Sequence, residues 1–227
     1  MQTIFITGGT GYIGSRIINA LQKQGGFHIK ALVRKGSEHK LPEGCDLIFG
    51  DALNADSYLD NMGEASILVH LIGVAHPSPA KKEQFRKIDL VSIREAARAA
   101  SKKGIRHFVY VSVSQFPSEI MKDYQQVRAE GESILKESGI PSSILRPWYV
   151  LGPGHWWPVL LLPLYYLFSL IPSLKPRLEQ QGLVTIQQMV ETLVFAIKNP
   201  PINGLTIYEV RDIKNTDEVR VNLTPIL

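Results

Sequence analysis

"TIFITGGTGYIG", residues 3–14, decides how the rest of the chain is read. A short β-branched and aromatic run, Thr3 to Thr7, meets a cluster of glycines, and an amphipathic pattern follows from Tyr12 to Gln24. That order predicts a strand, a tight turn and a helix whose buried stripe is Ile13, Ile17, Ala20 and Leu21. The glycines read as Gly9-x-Gly11-x-x-Gly14 and equally as Gly8-x-x-Gly11-x-x-Gly14. Glycine at these places permits the turn, lets backbone approach a pyrophosphate, and allows the helix to pack closely on the strand. The helix N-terminus then turns its amides toward the anion. The spacing alone is weak; between a strand and a helix it is a specific signal for a dinucleotide. A glycine-rich turn with no ligand is the bland alternative.

Outward from this unit the chain keeps one rhythm. "HIKALVR" (28–34), "DLIFGD" (46–51), "SILVHLIG" (66–73), "HFVYVSV" (107–113) and "SSILRP" (142–147) read as further strands. A helix over 82–103, with an apolar face of Phe85, Ile88, Val91, Ile93, Ala96 and Ala99, separates the fourth and fifth. After Pro147 the rhythm changes to a proline-rich apolar stretch, an amphipathic helix over 186–198 and a strand, "LTIYEV", over 205–210. Short strands alternating with helices specify a parallel sheet covered on both faces, so the expected fold is α/β, a Rossmann-type doubly wound sheet with a small C-terminal cap. At 227 residues the chain suits one domain with the apolar cap, residues 148–185, inside it.

Composition narrows the function classes. Hydrophobic residues make up 44% and charged ones 20%, the balance of an ordinary globular protein. A net charge of +4 is scattered, with no run longer than pairs such as Lys81-Lys82 and Lys102-Lys103, which argues against a nucleic-acid partner. Cys45 is alone, and the histidines have no ligand spacing, so neither an internal disulfide nor a metal site is expected. The N-terminus does not read as a signal peptide, which makes the cytoplasm the default location. Nothing in the sequence sets an oligomeric state.

About 20 residues beyond the last glycine, NAD-binding folds place a carboxylate on the ribose, whereas an arginine nearby accommodates the additional phosphate of NADP. Arg34 stands there with Lys35 beside it, and the next carboxylate is Glu38. A guanidinium matches phosphate, so NADP is the expected cofactor and NAD the alternative. Against this, Arg34 also reads as a solvated strand-end residue.

"TGGTGYIG", "LVR", Gly50-Asp51, "HLIG", "HFVYVS" and "LRP", taken together, resemble the atypical and extended short-chain dehydrogenase/reductase superfamily, in particular its NmrA-like and complex I accessory-subunit-like members. The resemblance covers residues 1–150 well and the remainder loosely. It implies NAD(P) binding and an oxidoreductase or epimerase-like activity. It also implies that Thr10, Gly11, Tyr12 and Ile13 line the pyrophosphate, beside the cofactor-binding Gly8 and Gly14 of the glycine motif, that Asp51 and Ala52 meet the adenine, and that Leu71, Ile72 and Gly73 run toward the nicotinamide ribose. Asp51 reads equally as a cap for the segment that follows it.

In that superfamily a tyrosine acts as acid or base, and a lysine four residues later supports it and holds the ribose. Here "DYQQVRAEGE" (123–132) offers Tyr124 and Arg128 on one face of a helix over 122–136, with Val127, Ile134 and Leu135 available for burial. A phenol with an ordinary pKa of about 10 needs a fixed cation beside it, and Arg128 supplies charge without a lysine's capacity to pass a proton. Two serines are usual after the fifth strand; this chain has Ser112, Val113 and Ser114, and Ser114 serves only if the loop shifts by one residue. In the competing view Tyr124 packs by its ring and Arg128 pairs with Glu132. The protein is then an NADP(H)-binding sensor or assembly factor without catalysis.

"WWPVLLLPLYYLFSLIPSL" (156–174) is uncharged over nearly the ~20 residues that span a bilayer, but Pro158, Pro163 and Pro172 interrupt it. A lid lined by Trp148, Trp156, Trp157, Tyr165 and Tyr166 suits a small apolar substrate. Peripheral membrane contact is the competing use of those aromatics.

Overall fold

A computed structural model describes residues 1–154 and 182–216. Strands β1 (Gln2–Thr7), β2 (Phe27–Val33), β3 (Asp46–Phe49), β4 (Ile67–His70), β5 (His107–Val111), β6 (Ser142–Leu145) and β9 (Leu205–Tyr208) form one seven-stranded sheet in the order β3-β2-β1-β4-β5-β6-β9. All its pairs are parallel. The order reverses between β1 and β4, which opens a crevice at their carboxyl ends where open α/β sheets receive ligands.

Alternation along the strands divides the core. Ile4 and Ile6 of β1 face α1 (Tyr12–Gln24) and α5 (Ile186–Lys198), whereas Phe5 faces the layer of α3 (Val91–Lys103) and α4 (Lys122–Ser138). Both faces are covered, so β4 is buried along its whole length and its sequence "ILVH" shows no polar face.

The expected strands are present, and most end earlier than their apolar runs. β4 stops at His70 after a final ladder bond from Leu71 N–H to Thr7 O (3.1 Å), which releases Leu71, Ile72 and Gly73 into the crevice. The last strand stops at Tyr208 because Glu209 and Asp212 form a capping box that starts α6 (Val210–Lys214). The helix expected over 82–103 is divided into α2 (Lys82–Gln84), a π-helical turn (Phe85–Leu90) and α3. Ile88 and Val91 are only half-buried, and the interior positions go to two polar residues, Asp89 and Ser92. Beyond β6, β7 (Tyr149–Leu151) and β8 (Leu183–Thr185) pair in parallel and bring the two ends of the expected cap together. The apolar stretch 156–174, with Trp156, Trp157, Tyr165 and Tyr166, lies outside the described residues. No helix among the described residues is long and apolar enough to cross a membrane.

Two buried histidines make stability depend on pH. Burial, and for His70 the nearby Arg128 charge, lowers the pKa of His70 to about 3; burial alone lowers that of His107 to about 4. Both folded values lie below the unfolded one of about 6.5, so their contribution is complete above that pH and is lost as pH falls toward the folded values. Each histidine should remove up to about 1.4 kcal/mol per pH unit in this window. The urea midpoint is expected to drop between pH 6.5 and 5, and less steeply in His107→Gln. Equal slopes for the two proteins would refute the assignment.

Candidate functional site

The glycines of the first turn are demanded by contact as well as by conformation. Gly8 has φ +80°, and Gly11 N–H closes the turn on Gly8 O at 3.0 Å. A Cβ on Gly14 would lie 2.1 Å from Gly8 O and 2.7 Å from Gly9 Cα, so α1 can start this close to β1 only with glycine there. Gly11 is the N-cap of α1; no side chain caps it and no acid occupies the first turn, which leaves the helix end suited to an anion. Thr10 is half-exposed at the turn, and Ile13 packs on the core beneath it. Tyr12 carries the Arg16 guanidinium 4.2 Å above its ring, and its hydroxyl lies where a Cβ on Gly152 would come within 2.1 Å. The sequence's cofactor candidates therefore converge on one edge, with the Gly8 Cβ position 3.0 Å from the Leu71 carbonyl carbon.

Arg34 stands exposed just past β2. Asp51, past β3, is also exposed; its carboxylate accepts from Leu53 N–H at 3.0 Å. The short 3-10 turn beyond it is capped by Asn54, so Asp51 closes an Asx-type turn and is not that turn's cap. Ala52 packs against the core on the α3 side.

The opposite side of the crevice is built from charge. Tyr124 and Arg128 do share a face of α4: the Arg128 guanidinium carbon lies 5.1 Å from the centre of the Tyr124 ring, which also packs on Phe85 at 4.9 Å. Arg128 does not pair with Glu132. Its Nη2 meets Asp89 Oδ1 at 2.6 Å, and Nη1 donates to Ile72 O, Tyr110 Oη and Val111 O at 3.2–3.3 Å. Side-chain exposures of 5% and 0% make this a sealed ion pair. Burial opposes the charge, but the Tyr110, Tyr124 and Asp89 oxygens outweigh it and hold Arg128 protonated above its ordinary range. Gly73 is glycine for the same reason, since a Cβ there would fall 2.1 Å from Arg128 Nη2. Asp89 also accepts from Val74 N–H at 3.1 Å, so one carboxylate ties the guanidinium to the loop after β4.

Neither serine stands open. Ser112 donates to Glu132 at 2.6 Å, and Glu132 in turn receives Nε (3.0 Å) and Nη2 of Arg146, whose other arm reaches Glu209 at 2.7 Å. Ser114 is fully buried; its Oγ accepts from Phe116 N–H at 3.4 Å, and its carbonyl accepts from Gln125 at 2.6 Å. His70 completes the floor, with Nδ1 2.8 Å from Thr7 Oγ1 and Nε2 3.3 Å from Ser92 Oγ, so it joins the ends of β1 and β4 to α3. Sequence reasoning missed Asp89, His70 and Arg146, and it offered Glu132 to Arg128 where the structure gives it to Ser112 and Arg146. The legible signal for the first was a carboxylate on the apolar stripe of its helix, four residues after Phe85.

Residues 8–152 match a family described as NAD(P)H-binding. The ceramide reductase of Caulobacter vibrioides is 25% identical over 92% of the chain and 65% of its own length, so this chain spans just under two thirds of that relative. The UDP-glucose 4-epimerase of Vibrio cholerae is 22% identical over 96% of the chain and 74% of its own length. The Bordetella bronchiseptica enzyme WbmH, solved in complex with NAD+, superposes with a TM-score of 0.67 at 16% identity, covering 99% of the chain and 84% of WbmH.

Asp89→Ala leaves a buried guanidinium without its counter-ion, which should lower stability by about 3–5 kcal/mol. Asp56→Ala, which opens an exposed pair with Arg98, should barely move the urea midpoint. Equal small losses would contradict the sealed pair.

Proposed function

We propose, given that the chain belongs to the NAD(P)H-binding family, that it prefers NADP and transfers a hydride to or from an apolar carbonyl or alcohol, or a sugar-derived substrate. The observation carrying this reading is the half-buried Tyr124 ring with the sealed Arg128 cation 5.1 Å from its centre, beside the loop Leu71–Gly73. The turn Gly8–Gly14 fits a pyrophosphate: its close approach leaves backbone and a helix N-terminus facing the crevice. Arg34 receives the 2′-phosphate, Asp51 and Ala52 flank the adenine, and Leu71, Ile72 and Gly73 lie along the nicotinamide half. The bound cofactor supplies or accepts the hydride. Tyr124 gives its hydroxyl proton to the substrate oxygen on reduction and recovers it on oxidation, and Arg128 stabilises the phenolate left between these steps. With Ser112 donating to Glu132 and Ser114 buried, Tyr124 carries the contact to the substrate oxygen without a serine. The apolar composition of residues 148–185 suits a small apolar substrate.

A second reading is supported by that same engagement of Ser112 and Arg128: the protein binds NADP(H) as a sensor or assembly factor, in peripheral contact with a membrane through the apolar stretch. The two readings part on activity. For the enzyme, Tyr124→Phe should abolish NADPH-dependent carbonyl reduction, by roughly a hundredfold or more as expected of a lost general acid, while NADPH binding persists. NADPH binding without reduction of any carbonyl in a broad panel favours the second reading. Arg34→Ala should weaken NADPH by about tenfold, the scale of one charge-assisted contact, and leave NADH unchanged.

A further inference from the structure

Three buried polar side chains, Gln125, Arg128 and Glu132, stand at i, i+3 and i+7 on α4, where an amphipathic helix ordinarily buries apolar residues. Arg128 answers Asp89 and Glu132 answers Arg146; Gln125 is neutral and answers a loop. Its Nε2 donates to Ser114 O at 2.6 Å and to Phe116 O at 2.7 Å, and its Oε1 accepts from Ser118 N–H at 3.1 Å. Two carbonyls at one end fix which end of the amide is the NH2. Residues 114–118 therefore fold around a single side chain that is 7% exposed. Gln115 adds a second tie, its Nε2 donating to Val113 O at 3.1 Å and Gln125 O at 3.4 Å. At its start the loop is fixed to the neighbouring chain, where Ser114 N–H bonds to Pro147 O at 3.0 Å, two residues before β7. The loop thus runs from the root of β7 to the turn of α4 that carries Tyr124, and it bears Phe116, half-buried, and Ile120, 73% exposed.

We infer that Gln125 is a positioning residue for the substrate side of the crevice: it holds the loop Ser114–Ser118 in register with Tyr124, its neighbour in the chain. A carbonyl substrate then meets the tyrosine hydroxyl while its apolar body meets the loop. A buried amide is tolerated when its hydrogen bonds are made, and removing this one strands three backbone groups of the loop at once. The helix turn that presents Tyr124 is therefore also the fixing point of the loop, and the two keep their spacing while the three bonds stand. This latch lies on the β5–β6 side of the sheet, away from the glycine turn after β1, so cofactor binding does not depend on it. The inference rests on the reading of Tyr124 as the group that meets the substrate oxygen.

The experiment compares the full chain with Gln125→Met, Gln125→Glu and a control, Gln126→Met, whose native side chain reaches Glu130 on the exposed face of α4. Hydrogen exchange of the loop amides, NADPH affinity by fluorescence, and steady-state reduction of hexanal, decanal and benzaldehyde are measured on each. In Gln125→Met the Ser118 amide loses its acceptor and should exchange roughly tenfold faster or more. KM for the aldehydes should rise about tenfold, with kcat within a factor of about three and NADPH affinity unchanged. Gln125→Glu keeps an acceptor for Ser118 but sets a carboxylate against two carbonyls, so it should raise KM at least as far. Gln126→Met should change none of these. Faster exchange with unaltered KM makes Gln125 merely structural and overturns the inference, and so does unaltered exchange; in both cases turnover by the wild type leaves the reductase reading standing. If the wild type turns over no aldehyde, dissociation constants of the same aldehydes from the NADPH complex take the place of KM. Weaker aldehyde binding in Gln125→Met then supports the inference while the reductase reading falls, and no aldehyde binding by the wild type ends both.

Discussion

A guanidinium sealed inside the protein is the constraint around which the crevice is arranged. Arg128 cannot shed its proton, so burying it requires a carboxylate and enough carbonyl oxygens to replace water. Asp89 supplies the first, and Ile72 O, Val111 O and the Tyr110 hydroxyl supply the rest. The partners come from three elements: the loop after β4, the end of β5, which supplies both Tyr110 and Val111, and the π-helical turn ahead of α3. The cation therefore fixes the relative positions of the pieces that line one wall, and it dictates glycine at position 73.

The other wall is held by a different force. Between β1 and α1 the close approach is backbone on backbone, from Gly14 to Gly8 and Gly9, with steric fit in place of charge. His70 joins the two walls from below as a neutral group, and its depressed pKa keeps a second cation away from Arg128. A third arrangement, Ser112 through Glu132 and Arg146 to Glu209, ties α4 to the ends of β5, β6 and β9. It anchors the helix carrying Tyr124 about two turns further along, at Glu132, while the Arg128–Asp89 pair holds it one turn away.

Local pattern revealed the fold because each step of it is local. Strand, glycine turn and helix follow one another in sequence from Thr3, and the alternation of Ile4, Phe5 and Ile6 states directly that both faces of β1 are covered. The candidate site was legible to the extent that it is backbone: Gly8, Gly11 and Gly14 converge with Leu71 as their spacing implies. Its charged half was not legible, because Asp89 and Arg128 are far apart in sequence and no periodicity couples them. The i+4 rule instead offered Glu132 as the partner, and tertiary packing gave that carboxylate to Arg146. Strand ends were overestimated for a related reason. Apolar residues continue past the last ladder bond when the chain runs on into a crevice, as Leu71 and Ile72 do.

Arginine at position 128 also sets what kind of acid–base chemistry this crevice can support. A lysine in such surroundings responds to burial and can exchange its proton, so a tyrosine–lysine pair titrates as a coupled unit. Arg128 is held protonated by its neighbours and has no proton to give. Its charge is fixed, 5.1 Å from the centre of the Tyr124 ring. Because Asp89 already balances most of that charge at 2.6 Å, the field left at Tyr124 is that of an ion pair and not of a free cation. A charge already balanced in this way serves first to hold the loop after β4, β5 and the π-helical turn together, which is what shapes this wall of the crevice.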